Sequence, residues 1–496
     1  MSKNLKNISL VSALTLVSRV LGLVRDSLTA AVFGTSALAS AFITAYTLPN
    51  LFRRLLGEGA LTAAFVPTLH DELSQRQRDG AFRLISQVSS WLFLITSAIV
   101  ALAIGGLMIV AASARQGAFA LATDTVERWI QAAELAIWLF PYLIFVCLAA
   151  AYSAALQTLQ RFLEPALSPI WLNYAIIACL SGSVVFDWGD GDLGRMHWLC
   201  VGVLIGGALQ MIVPGLTLVR MGWKPRFDLQ LSPQVRAIAR LMAPTVFGSA
   251  IYLINMAVSR LLGLSLDDAS ATLLNLAGRL MELPIGLFAV AVTTVIFPLI
   301  SRYAATGDWA GMASSYRKGM RLILVLNIPA AAGLALLATP IVRLLFQHGE
   351  FTAQDTQAMM PVLAVYALGL PFFSFVSLTL RAFYAQKDTV TPVQAALVSF
   401  VLNLALSFAL MKPFGTLGLA LAGNLAVVVQ AIHLQRKLSA KRAEMAFAPL
   451  AKDLLKIVMA TAVMAAVVLL SLTALNTILA TSFLDDILRI GGVIAA

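Results

Sequence analysis

Thirteen apolar stretches follow one another along this chain, each close to or beyond the roughly 20 residues a helix needs to cross a bilayer core. They fall near residues 9–34, 37–69, 82–112, 128–157, 165–186, 197–219, 237–263, 270–300, 321–342, 358–385, 389–411, 415–435 and 455–479. In hydrocarbon every backbone N–H and C=O must be paired within the protein, and a single segment meets that condition only as a helix. Composition agrees, with 60% of the 496 residues hydrophobic and 12% charged, about half the charge of a soluble domain. An all-α polytopic membrane protein is expected. The first stretch contains Arg19, Arg25 and Asp26, runs on into a second span and offers no small-residue cleavage site. It therefore does not resemble a removable signal peptide. A last apolar stretch starts near Phe483 and stops at Ala496, which predicts either a partial fourteenth helix or a shortened version of a protein with one more crossing.

Charge sets the orientation. With the N-terminus on the cytoplasmic side, the predicted inside segments hold twenty-three of the 35 Lys and Arg residues, and the outside segments hold Arg115, Arg128, Arg195, Arg343 and Lys412. Such a positive-inside bias supports the span assignment as well as its direction, because a missed crossing would scramble it. The outer segments are acidic, as in FDWGDGDLGR (186–195) and LDD (266–268 and 484–486). The net charge of +11 thus follows from topology and asks for no nucleic-acid partner.

Six cations remain inside the spans: Arg19, Arg25, Arg53, Arg54, Arg260 and Arg279. Each would cost about 2.5–3.5 kcal/mol facing lipid on insertion scales, so they are expected to face a wet cavity or a partner. Acids at that depth are fewer: Asp26, Glu58, Glu134 and Glu282. The surplus of buried positive charge wants an anionic ligand. On a helix, Arg19, Gly22 and Asp26 share a face, and Arg25 points to a different wall. Arg54 and Glu58 sit four residues apart and can pair, which leaves Arg53 freer. Asn275, Arg279 and Glu282 share another face just before Pro284. Arg260 is expected to snorkel towards the outer end of its helix. Cys147, Cys179 and Cys200 read as small core residues, with no CxxC spacing and no nearby histidine, so neither a disulfide nor a metal site is expected.

Internal repetition gives the organisation. SRVLGL (18–23) recurs as SRLLGL (259–264), FVPTL (65–69) resembles IFPLI (296–300), and 140–165 aligns loosely with 370–392. The nearly constant offset implies two halves of about six spans, and an even number of crossings makes them parallel, related by an axis along the membrane normal. The expected organisation is an N-lobe (1–222, spans 1–6), a C-lobe (223–440, spans 7–12) and a C-terminal part (441–496, span 13 and a partial span 14). Transporters so built rock one half against the other around a site at their interface, so the charged spans 1, 2 and 8 are expected to line a central cationic cavity.

Five segments carry a family resemblance: SRVLGLVRD (18–26), LPNLFRRLLGEGALTAAFVP (48–67), GRLMELPIGLFAVAVTTVIFP (278–298), LFQHGEFTAQD (345–355) and FYAQKDTVTP (383–392). They closely resemble the MurJ (MviN) family of lipid II flippases, within the multidrug/oligosaccharidyl-lipid/polysaccharide exporter superfamily, over essentially the whole chain. The resemblance implies two six-helix lobes around a cationic cavity and a C-terminal helix pair whose groove receives an undecaprenyl tail. Carried over by motif, it implies substrate-binding roles for Arg19, Arg25, Asp26, Arg53, Arg54, Glu58, Arg279 and Glu282. The chain departs from the family pattern at Ser40, where relatives often carry an acid, and at Gly278, where ADRLMEFP becomes AGRLMELP. Both departures make the cavity more cationic. Sodium binding in some relatives uses acids and amides of later spans. Here Asn403 and Asn424 remain, but no membrane-depth acid follows Glu282, so no metal or cofactor is expected.

The implied activity is movement of lipid II, undecaprenyl-diphosphate-linked disaccharide pentapeptide, from the inner to the outer leaflet of the bacterial cytoplasmic membrane by alternating access. Arginine forks suit the diphosphate, membrane lipids surround the tail, and cell-wall synthesis proteins are candidate partners. No covalent chemistry is required, so the chain is not expected to be an enzyme. Moving an anion out of a negative interior is favoured by about 2.3 kcal/mol per charge per 100 mV, so the membrane potential is the expected drive, with the coupling ion open. An exporter of another polyprenyl-linked oligosaccharide or of drugs is the nearest alternative, although a cationic-drug site would favour buried acids. A membrane glycosyltransferase or phosphatase would call for clustered acids or histidines, and the four histidines are scattered.

Overall fold

The computed structural model describes residues 3–53, 60–117 and 122–478, together with Asp486 and Ile490. Arg54 and Glu58 lie outside the described residues, as does nearly all of the apolar stretch after Phe483. The described chain is helical, with fifteen α-helices: α1 Lys3–Phe33, α2 Ala37–Phe52, α3 Ala60–Arg115, α4 Thr123–Leu139, α5 Tyr142–Thr158, α6 Leu163–Val185, α7 Gly191–Arg220, α8 Pro233–Leu266, α9 Ser270–Pro284, α10 Val290–Thr306, α11 Trp309–Leu336, α12 Ala338–Phe346, α13 Ala353–Ala385, α14 Val390–Lys441 and α15 Ala448–Ile478. Two of these are pairs joined without an intervening loop. Helix α3 breaks at Arg76 and Gln77, where Gln77 takes φ 55°, and α14 breaks at Gly415, with φ 58°. The first break falls between predicted spans, and the second at the first residue of the span 415–435.

Eight described helices are long and apolar enough to cross a membrane, and a bent pair makes a ninth. Two span boundaries need correction. The stretch 128–157, expected as one helix, is α4 and α5 meeting at 43°, with Pro141 at the corner, where its missing N–H interrupts the helical ladder. The stretch 321–342 is also divided. Helix α11 starts twelve residues earlier, at Trp309, and ends at Leu336, and α12 follows as a separate short helix.

Helix ends follow local chemistry. Gly34, with φ 56°, closes α1 in the left-handed region that costs glycine little. The Ser36 hydroxyl then accepts from the Ala39 N–H at 3.2 Å to start α2. Gly307 and Asp308 repeat the device between α10 and α11, where Asp308 accepts from the Gly311 N–H at 2.8 Å. Thr352 and Asp355 form a reciprocal capping box at the start of α13.

Contacts divide the chain into two compact units, Met1–Ala257 and Val258–Ala496. In the first, α6 and α7 pack backbone to backbone. A Cβ on Gly202 would lie 2.9 Å from Ile176 Cα, and one on Gly206 would lie 2.9 Å from Leu172 Cα, the small-residue spacing that lets membrane helices approach closely. A second core gathers Phe65, Leu69, Ile85, Leu156, Leu218 and Trp223. In the second unit, Tyr316, Met320, Leu378, Phe383 and Leu434 form a core. There the buried Tyr316 hydroxyl donates to Gln435 Oε1 at 3.0 Å. Large apolar side chains such as Leu102, Ile109, Val295 and Leu470 are exposed, as a lipid-facing surface requires.

Candidate functional site

Arg25 and Asp26 sit where α1 meets α6. Helical spacing placed Arg25 and Asp26 on different walls, and the structure corrects this. The Arg25 side chain folds back so that Nε and Nη2 donate to Asp26 Oδ1 at 3.0 and 2.6 Å. Both side chains are largely buried, 14% and 12% exposed, where an unpaired charge would cost several kcal/mol (about 3 or more). A third member is Asn173 of α6, itself buried. Its Oδ1 accepts from Arg25 Nη1 at 3.0 Å, and its Nδ2 donates to the Ser18 carbonyl at 3.1 Å. Sequence reasoning missed this residue, and the one available signal was an amide isolated in an apolar span, since polar side chains in such spans commonly bond across helices.

Gly22 lies over the same amide. A Cβ there would sit 3.7 Å from Asn173 Nδ2, an ordinary contact, so the glycine leaves room beside the charges and is not forced by backbone geometry. Arg19, two turns before Asp26, is exposed and makes no hydrogen bond or ion pair among the described residues. Its planar fork is therefore available. Arg53, at the end of α2, is half-buried and donates from Nε to Asn50 Oδ1 at 2.8 Å. Glu134 pairs with Arg115 at the end of α3, with both side chains well exposed.

In the second unit, Arg279 and Glu282 are one turn apart on α9, with Nη1 to Oε2 at 3.3 Å and side chains 32% and 41% exposed. This is a loose pair, and exposure of that degree weakens it further. Pro284 follows, and the chain then makes a π-helical turn over Ile285–Ala289 before α10. Proline removes a donor from the ladder, and π-turns inside helices concentrate at functional sites. At Gly278 a Cβ would meet only Tyr366, at 3.9 Å, so the space for a side chain exists and is unused. Arg260 is half-buried and lies within electrostatic reach of the Tyr366 hydroxyl. Asn403 is buried, and the Asn424 amide donates to the Val365 carbonyl, tying α14 to α13.

Among the described residues, no three His, Cys, Asp or Glu side chains converge on a possible metal position. Cys147, Cys179 and Cys200 are free thiols. What the two charge groups offer is guanidinium donors at the depth of apolar helices, with Asn173 and Asp26 fixing one of them and Arg19 presented freely.

A family profile described as lipid II flippase MurJ matches residues 29–487. The probable lipid II flippase MurJ of Rhizobium meliloti is 32% identical over 93% of this chain and 85% of its own length. That of Haemophilus influenzae is 34% identical over 86% and 84%. A solved lipid II flippase MurJ in an inward closed conformation superposes with a TM-score of 0.78 at 29% identity, covering 98% of this chain and 96% of the other. An inward-facing multidrug resistance MATE transporter of the MOP superfamily gives 0.66 at 15% identity, over 87% and 98%, and so shares the fold.

Proposed function

The chain belongs to the lipid II flippase MurJ family, and from that premise we propose that it carries lipid II from the inner to the outer leaflet of the bacterial cytoplasmic membrane. It is a multi-pass membrane protein with a transporter fold. The observation that carries the substrate class is the guanidinium of Arg19, which is exposed and has no anionic partner among the described residues, beside an Arg25 already held by Asp26 and Asn173. A diphosphate is an anion whose oxygens such forks bind in bidentate fashion. Arg53, Arg54 and Glu58 extend the site along the second span, and Arg279 with Glu282 supplies the binding group of the second unit. The Arg279 pair is loose enough for a phosphate to replace the carboxylate.

Transport proceeds by alternating access, with the arginines of each unit wetted from the cytoplasm in one state and from the periplasm in the other. The N-terminus is cytoplasmic, as the positive-inside bias supports. The membrane potential drives or resets the cycle by acting on the anionic head group, and no nucleotide, metal or covalent step enters. The test is rescue. Cells depleted of their own lipid II flippase should grow and keep their shape when this chain is expressed, and vesicles from them should move labelled lipid II across the bilayer. Normal membrane abundance without rescue or translocation would overturn the assignment.

A further inference from the structure

Residues 222–232 join α7 to α8 outside any helix and read GWKPRFDLQLS. From Phe227 onward apolar and polar residues alternate, the two-residue period of an extended chain. The polar set faces α3. Ser90 Oγ accepts from the Asp228 N–H at 2.9 Å, Gln87 Nε2 donates to Asp228 Oδ2 at 3.0 Å, and Gln87 Oε1 accepts from Ser232 Oγ at 2.8 Å. Arg83 Nη2 donates to Gln230 Oε1 at 2.7 Å, and upstream the buried Trp223 donates from Nε1 to Ser86 Oγ at 2.9 Å. Positions 83, 86, 87 and 90 form one face of α3, so the segment is a strap latched in register along a helix.

With its polar edge so held, the strap turns the other edge outward. Phe227, Leu229 and Leu231 are 68%, 38% and 51% exposed. The exposed side chains of Lys224, Arg226 and Arg236 flank them and make no hydrogen bond or ion pair among the described residues. The strap continues from α7 and is fastened to α3, both long and apolar enough to cross a membrane, so it is held at the bilayer surface. An apolar row rimmed by cations at that level matches an anionic lipid surface in both chemistry and charge.

We propose that the strap is an interfacial anchor: Phe227, Leu229 and Leu231 insert between the head groups of the adjacent leaflet, and Lys224, Arg226 and Arg236 engage anionic lipid phosphates. Under the orientation proposed above that leaflet is the cytoplasmic one, and the anchor sets the depth at which the first unit sits. Insertion itself does not depend on what the protein transports.

The experiment places single cysteines at Phe227, Leu229, Leu231 and Gln230 of the full chain, with Cys147, Cys179 and Cys200 replaced by Ala. Each is labelled with an environment-sensitive fluorophore in nanodiscs of phosphatidylethanolamine with or without phosphatidylglycerol. Labels at 227, 229 and 231 should shift to the blue and be quenched by lipids spin-labelled near the head group, and the label at 230 should not. Replacing Lys224, Arg226 and Arg236 together by Gln should abolish the additional shift that phosphatidylglycerol gives at 229. In the unsubstituted chain, a phospholipid with a photoactivatable group near its head should label the peptide containing 227–231. Quenching of 227, 229 and 231 by aqueous iodide but not by lipid, or absence of photolabel, would overturn insertion and leave this edge for a soluble partner. Spectra unchanged by phosphatidylglycerol would overturn the head-group contact. Failure of cellular rescue would bear on the transport assignment and leave these readings intact.

Discussion

Asn173 on α6 holds Arg25 on α1 in place, accepting from Arg25 Nη1 at 3.0 Å while its own amide donates to the Ser18 carbonyl at 3.1 Å. One side chain thus fixes both the guanidinium and the backbone that carries it. Asn173→Leu should lose a hydrogen bond to a charged group, about 1.5–3 kcal/mol, seen as a lower melting temperature in detergent, and should weaken rescue of flippase-depleted cells. A variant that melts and rescues like the wild type would remove Asn173 from the site.

Arg19 and Arg25 should respond differently to the same substitution. Arg25→Ala removes the guanidinium paired with the largely buried carboxylate of Asp26 and should cost about 3 kcal/mol in stability as well as function. Arg19→Ala strands nothing in the described structure, so it should fold like the wild type and still lose transport, and Arg19→Lys should restore only part because it lacks the planar fork. Comparing melting with labelled lipid II translocation separates the two. Full transport by Arg19→Ala would sink the proposed phosphate contact.

The close approach of α6 and α7 supplies a test remote from any charge. A side chain on Gly206 would meet Leu172 Cα, the residue next to Asn173, so Gly206→Val should force the helices apart. The expected loss is about 1–3 kcal/mol, with reduced rescue although every charged residue is retained. Gly333→Ala, where a Cβ meets nothing within 4 Å, is the matched control and should be near neutral.

Asp388, in the turn between α13 and α14, gives a pH dependence. Burial pushes its carboxyl up, but the Thr391 N–H, the Lys441 ammonium at 2.9 Å and the Thr391 hydroxyl outweigh this and hold it below its ordinary range. A folded pKa below the unfolded one contributes stability above the unfolded value, about 3.9, that is lost as pH falls through the folded value. Asp388→Asn should therefore melt lower than the wild type at neutral pH, by the equivalent of about 0.2–1 kcal/mol for a partly exposed ion pair, and the gap should close as pH drops below about 4. A gap that is constant with pH would mean the carboxylate charge is not what stabilises the turn.

Alternating access is tested at Ser18 and Asn275, which sit beside the arginine groups of the first and second units. Single cysteines there, with Cys147, Cys179 and Cys200 removed, should react with an impermeant thiol reagent from either side of the membrane, and collapsing the membrane potential should change the ratio of the two rates. Reaction from one side alone under every condition would replace alternating access with a fixed groove.

The helices and the chemical class of the site were legible in the linear chain. Long apolar runs have one way to satisfy their backbone in hydrocarbon, so the predicted spans fall mainly on helix where residues are described, apart from the breaks at Phe140 and Pro141 and at Leu337, and cations in such runs stand out because they are costly there. Partnership was not legible. Arg25 meets an amide 148 residues away, and Glu134 meets Arg115 nineteen residues away. Neither pairing leaves a trace in periodicity, since each depends on which helices pack and how far a flexible side chain reaches. The corner at Pro141 and the strap on α3 are of the same kind. Hydropathy says how much chain lies in the membrane, whereas the bend and the latch come from backbone and polar groups that only close packing brings within bonding distance.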